Sequence, residues 1–173
     1  MRKAIILTMV IAVALGVGVG MATAAGGGIT IRTEGDEAFE ANALIQSTFR
    51  FSNELTKIPS GGTFTFIKKD QVPDEPHTLT IVNAAALPKS VEDVFNCDVC
   101  NATLAAHFPA GGGVKLRVDK NSDGGLDVAG DSILILPGVN NSITAKVTAP
   151  AGTTLHFLCA FHPWMQGIIK VTS

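Results

Sequence analysis

From Lys57 onward the chain alternates between polar and apolar positions. Thr63-Phe64-Thr65-Phe66-Ile67 sets threonine against aromatic or branched residues, the period-two pattern of a strand with one face in a core. Thr78 to Val82 repeats it, and Lys115 to Val118, Ser142 to Val147, Thr153 to Leu158 and Gly167 to Thr172 read as further short strands. Pro73 and Pro76, Pro137-Gly138 and Pro150-Ala151-Gly152 punctuate the series. Many short strands between such turns predict an all-β antiparallel sandwich. The stretch from Asn83 to Gly113 breaks the rhythm. Ser90, with Asp93 three residues on, marks a helix start, and the stretch is too long for an ordinary loop, so it reads as a short helical insertion. Residues 29–55 are weakly patterned. Ala38 to Leu44 suggests a helical turn and Phe49-Arg50-Phe51 a strand fragment, attached loosely or at an edge.

The same pattern divides the chain into 1–24, 25–56 and 57–173. The first segment reads as a signal peptide. Arg2 and Lys3 precede an apolar run to Val19, and Ala22-Thr23-Ala24 fits a small-residue cleavage site. A retained anchor is the alternative. The positive mean hydropathy is inflated by this segment, and no second apolar run approaches a membrane span. Residues 25–56 form an N-terminal extension opened by Gly26-Gly27-Gly28, and 57–173 the main domain. An exported protein, periplasmic, cell-surface or secreted, with no membrane insertion after cleavage, is the expectation.

Charge narrows the partners. Removing Arg2 and Lys3 takes the 13 basic residues to 11 against 15 acidic, a net −4. No basic cluster is present, which excludes nucleic acid.

Candidate chemistry concentrates at the end of the chain. Cys159-Ala-Phe-His162-Pro-Trp-Met165-Gln-Gly places a thiol, an imidazole and a thioether at three-residue intervals. A second imidazole, His77, sits upstream in Glu75-Pro76-His77-Thr78. Two histidines, one cysteine and a weak axial methionine form the donor set of a blue-copper electron-transfer site. Separately, each residue reads as an ordinary buried thiol or turn residue; jointly they point to a metal. Zinc could use the same set, but methionine serves it poorly. Gln166 is an alternative axial donor in a worse register.

Cys-x-x-His-x-x-Met before a Gly-led strand resembles the ligand loop of the cupredoxins, its short spacing most similar to amicyanin. Pro76-His77 followed by Leu79-Thr80-Ile81-Val82 resembles the cupredoxin strand that carries the first histidine. The likeness spans residues 58 to 173. It implies a Greek-key β-sandwich, one type 1 copper held by His77, Cys159, His162 and Met165, and one-electron transfer with transient protein redox partners by a monomer that is not an enzyme. Thr78 departs from the family, where many members have Asn, a residue that helps tie the two ligand loops together. Leu158 and Ala160 flank the cysteine where a multicopper oxidase would need histidines.

Other features carry weaker readings. Cys97-Asp-Val-Cys100 in an exported chain reads as a structural disulfide. The alternatives are a thiol–disulfide oxidoreductase, or a second metal site with His107 that lacks a fourth ligand. A copper-storage or copper-delivery role is the other rival function. Asp119-Lys-Asn121-Ser-Asp123-Gly124 matches the first half of a calcium loop, but position twelve is Gly130, so a polar turn is the better reading. Alternation puts His156 on the strand face opposite Cys159, at the surface.

Overall fold

The structure, a computed structural model, describes residues 28–173. The expected signal segment lies outside the described residues. Twelve strands appear in chain order: β1 (Ile29–Glu34), β2 (Glu37–Glu40), β3 (Leu44–Ser47), β4 (Arg50–Phe51), β5 (Leu55–Pro59), β6 (Thr63–Lys68), β7 (His77–Val82), β8 (Arg117–Val118), β9 (Ser132–Ile135), β10 (Ser142–Lys146), β11 (Thr154–Leu158) and β12 (Gln166–Thr172). Between β7 and β8 lie a 3-10 turn (Ala84–Ala86) and two helices, α1 (Val91–Phe95) and α2 (Asp98–His107).

Two sheets form the sandwich. One runs β10-β6-β1-β4 and the other β5-β12-β11-β7-β9-β8. Most pairings are antiparallel; β1 with β6 and β5 with β12 are parallel. Alternation fills the space between them. Ile31, Phe64 and Phe66 from the first sheet share one core with Leu79, Ile81, Phe157 and Ile169 from the second. This is the β-sandwich that the strand pattern predicts, with the helical insertion where the strand rhythm breaks. The Ser90 hydroxyl caps α1 by accepting from the Asp93 amide at 3.1 Å.

The central strand β7 is buried at all six positions. His77, Leu79 and Ile81 alternate with Thr78, Thr80 and Val82. The first set lies on the sandwich side. Val82, on the other, packs in a second cluster with Cys97, Cys100, Leu158 and Ala160. The helical insertion thus covers a face that would otherwise meet water, which is why β7 can bury two threonines.

The N-terminal expectation needs correcting. Residues 29–51 are not loosely attached: β4 is the edge strand that the fragment Phe49-Arg50-Phe51 suggested. β1 lies inside the first sheet, Ile31 is fully buried, and Phe49 and Phe51 enter the core. A boundary at residue 57 therefore cuts the sandwich. The stretch from Ala38 to Leu44 is no helical turn but the centre of a hairpin, with Phe39 opposite Ile45. That hairpin forms its own two-stranded sheet with Phe39 and Ile45 exposed, so no core-facing alternation marked it. β9 was also missed. Ile133-Leu134-Ile135 is buried on both faces and shows no alternation.

Candidate metal centre

Three strand ends converge at one edge of the sandwich. His77 opens β7, Cys159 follows β11, and His162 lies in the loop that leads to β12. β11 pairs with β7 through Leu158 opposite Thr80, which brings Cys159 beside His77 from 82 residues away. The Cys159 Sγ lies 3.9 Å from His77 Nδ1 and 3.6 Å from His162 Nδ1. Among the described residues these three form the cluster of His, Cys and carboxylate groups able to hold a metal, with donor atoms within 4.8 Å of one another. Cys159 and His77 are fully buried and His162 nearly so.

The loop folds on itself. The Cys159 amide donates to the Met165 carbonyl at 3.0 Å, and the Met165 amide to the His162 carbonyl at 2.8 Å. Met165 is 1% exposed and shares the core cluster with Cys159. Gln166 spends its amide on the Pro88 and Pro163 carbonyls at 2.8 and 3.0 Å, which anchors the loop to the helical insertion. Gly167 marks a close approach inside a strand. It sits inside β12, and a Cβ there would lie 2.4 Å from the Phe157 ring.

Thr78 makes the tie that the missing Asn put in question. Its amide donates to Cys159 Sγ at 3.4 Å, and its hydroxyl accepts from the Ala160 amide at 2.8 Å. The Thr80 hydroxyl donates to Thr78 at 3.0 Å and contacts Ser132 Oγ at 2.8 Å, which lies 2.7 Å from His107 Nε2. His107 is thus a buried hydrogen-bonding residue, its other nitrogen on the Lys115 carbonyl, and not a metal ligand. Cys97 and Cys100 are disulfide-bonded, which removes them from any second metal site. His156, half-buried, faces away from Cys159 as its register demands.

Aromatic rings close the site. Phe49 meets His77 edge-to-face at 5.4 Å and lies tilted against His162 at 4.7 Å, and His162 meets Trp164 at 5.2 Å. The Trp164 indole donates to the Phe49 carbonyl at 3.1 Å, with its ring 42% exposed. Phe49 belongs to the segment read as an extension, and nothing local in its sequence marks this role.

Carboxylates stand behind both imidazoles. His77 Nε2 is 3.1 Å from Asp70 Oδ2, a charge contact out of line for a hydrogen bond, so this nitrogen is a buried polar atom without a hydrogen-bond partner. His162 Nε2 is 2.8 Å from Glu75 Oε1. Asp70, Lys68 and Glu75 escaped the sequence reading; the adjacency of Glu75 to Pro76-His77 was the one available signal.

Burial sets the protonation states. Desolvation pushes His77 down to about 4, against the opposing pull of Asp70, and His162 down to about 3, with the His77 charge adding to it. Burial pushes the Cys159 thiol up to about 11, opposed by hydrogen bonds from the Thr78, His162 and Phe161 backbone. Burial would raise Asp70, but hydrogen bonds from Lys68 and Thr33 hold its carboxyl below the usual range. Neutral imidazoles with Nδ1 facing a thiol are the protonation states a soft metal takes up, and metal binding deprotonates such a thiol. The donor set fits copper: thiolate and imidazole together in a dry cavity.

The Asp119–Asp131 loop is held by its own amides. Asp119 accepts from Ser122 and Gly124 at 2.7 and 2.8 Å; fully buried Asp131 accepts from Lys120, Asp127 and Val128 at 2.8, 2.9 and 2.9 Å. These bonds make it a polar turn closed on its own backbone.

The sandwich and its buried His77–Cys159–His162 cluster are the fold and donor set that the resemblance in the sequence implies. Among solved structures the chain is similar to auracyanin A, a "blue" copper protein from Chloroflexus aurantiacus. Identity is 21%, over 84% of this chain and 100% of that one, with a TM-score of 0.45. The dithionite-reduced auracyanin of Roseiflexus castenholzii is 24% identical over 86% and 100%, TM-score 0.42. A purple cupredoxin from Nitrosopumilus maritimus is 15% identical over 83% and 99%, TM-score 0.41. No family model and no curated protein matches the chain.

Proposed function

We propose that this protein is an exported one-electron carrier with a single type 1 copper. The observation that carries the reading is the buried triangle of His77 Nδ1, Cys159 Sγ and His162 Nδ1 at one sandwich edge. His77, Cys159 and His162 would hold the metal, with Met165 as the weak axial donor. Copper supplies the one-electron couple. The chain's part is to keep the donors in one geometry for both oxidation states. Strand β7 fixes His77, the backbone closure between Cys159 and Met165 fixes the loop, and Thr78 locks the two together. Phe49 excludes water. His162 and the half-exposed Trp164 offer a route to the surface, where a redox partner docks transiently.

Burial of the donors supports a carrier over a storage or delivery protein, whose ligands must exchange readily. The buried Cys97–Cys100 pair favours a structural disulfide over an exchange enzyme. Titration of the metal-free protein with Cu(II), followed by visible absorption and electron paramagnetic resonance, tests the reading. An intense thiolate-to-copper band with narrow hyperfine splitting, bleached by reductant and abolished in Cys159→Ser, is the expected outcome. Weak colour with an ordinary Cu(II) spectrum would refute it.

A further inference from the structure

The buried charges behind His77 have no place in the function so far. Asp70 is fully buried by side chain, and Lys68 pairs with its Oδ1 at 8% exposure. The Lys68 ammonium also donates to the Val72 carbonyl. The Thr33 hydroxyl donates to Asp70 Oδ2, and the Val72 amide lies 3.3 Å from Oδ1. Oδ2 also stands 3.1 Å from His77 Nε2. A carboxylate and an ammonium are costly to bury, and apolar residues in their place are often no less stable. Stability therefore gives no reason for the pair, whereas the imidazole behind which it stands does.

We propose that Asp70 and Lys68 are positioning residues for His77. Asp70 holds the Nε2 edge so that Nδ1 faces Cys159 and the metal, and the field of the pair at the imidazole, dominated by the nearer carboxylate, sets the balance between Cu(II) and Cu(I). The Asp70 carboxylate, in charge contact with the Nε2 edge, attracts the proton there, makes the imidazole a stronger donor, and favours Cu(II), as carboxylates behind metal-bound histidines do. Lys68 lies one group further away and partly offsets it. Thr33 and the Val72 amide keep the carboxylate aimed.

This inference rests on the copper reading, and its test separates the two. In the copper-bound protein Asp70→Asn should raise the reduction potential and Lys68→Met should lower it. Outer-shell partners change metal affinity about 10–100-fold. A tenfold loss of Cu(II) preference over Cu(I) in Asp70→Asn corresponds to about 59 mV. If the lone ammonium left in Asp70→Asn prevents folding, Asp70→Leu/Lys68→Met removes both charges. Its potential should then lie above that of the unaltered protein, because the nearer charge is the negative one. Opposite signs are the diagnostic, since a merely structural pair would alter stability without ordering the potentials. In the copper-free protein, ¹⁵N chemical shifts of His77 should show the proton on Nε2. A His77 proton on Nδ1, or potentials that move together or not at all, would overturn the proposal. Should the unaltered protein lack a type 1 spectrum, the copper reading fails and the His77 proton position still decides the positioning role.

Discussion

Replacement of Thr78 by Val isolates the tie between the two ligand-bearing segments. Valine keeps the shape of threonine and removes only its hydroxyl. The Ala160 amide, bonded to that hydroxyl at 2.8 Å in a 4% exposed residue, then has no acceptor. Leaving a buried donor unmade costs about 1–3 kcal/mol. The Thr80 hydroxyl does not add to the loss, because Ser132 Oγ stays within 2.8 Å of it. At a urea slope of about 2 kcal/mol per M, the unfolding midpoint of the copper-free protein should fall by about 0.5–1.5 M with the slope unchanged. Thr78→Ser is the control. It keeps the acceptor and loses one buried methyl, worth about 0.8 kcal/mol. Urea unfolding followed by tryptophan fluorescence, with Trp164 as the sole reporter, measures both. The valine variant should be the less stable. A valine variant as stable as the serine one would refute the claim that the hydroxyl holds the loop.

Two further outcomes are expected. Gly167→Ala should cost about 1–3 kcal/mol by overpacking, because its Cβ would stand 2.4 Å from the ring of fully buried Phe157; an alanine variant with an unchanged thermal midpoint would show that the ring gives way freely. The copper-free protein should be most stable between about pH 6.5 and 9. Below 6.5 the unfolded chain binds protons that His77 and His162 refuse until about 4 and about 3, so stability falls with pH by up to about 1.4 kcal/mol per unit for each imidazole. Above 9 the unfolded thiol ionises while folded Cys159 keeps its proton to about 11, so stability falls again as pH rises. Urea midpoints measured across this range check both limbs, and a rise in stability from pH 6 to 4 would contradict the first.

Where sequence and structure agree, the information was local. Cys159, His162 and Met165 occupy one loop, so their spacing could be read directly, and the alternation of Thr63–Ile67 and Thr78–Val82 announced strands with one face in a core. His77 was legible because Pro76 and the following strand framed it. What escaped depends on partners distant in the chain. β1 is held in its sheet by parallel pairing with β6 across an intervening hairpin, and its six residues carry no turn or cap signal that local reasoning could use. Phe49 caps the two imidazoles because β4 starts beside them. Asp70 and Lys68 stand in a polar stretch with no local signal of burial, and only the fold encloses them. Thr78 is the instructive intermediate: its identity argued against a tie between the ligand segments, yet its hydroxyl makes that tie to the Ala160 amide.

The spacing of the donors also bears on how metal and folding are linked. Cys159 and His162 are three residues apart and stay neighbours in an unfolded chain, which can therefore keep hold of a thiol-seeking ion. Binding to the unfolded state subtracts from any stabilisation a ligand confers. His77, 82 residues upstream, reaches the ion only when β7 and β11 are paired. On the proposed ligand set, the metal's leverage on the folding equilibrium comes almost entirely through this one remote histidine, whose bond to the ion closes a long loop as a cross-link would. The protein can thus take up its ion early on a local clip, and His77 then converts that attachment into a fastening of the whole sandwich.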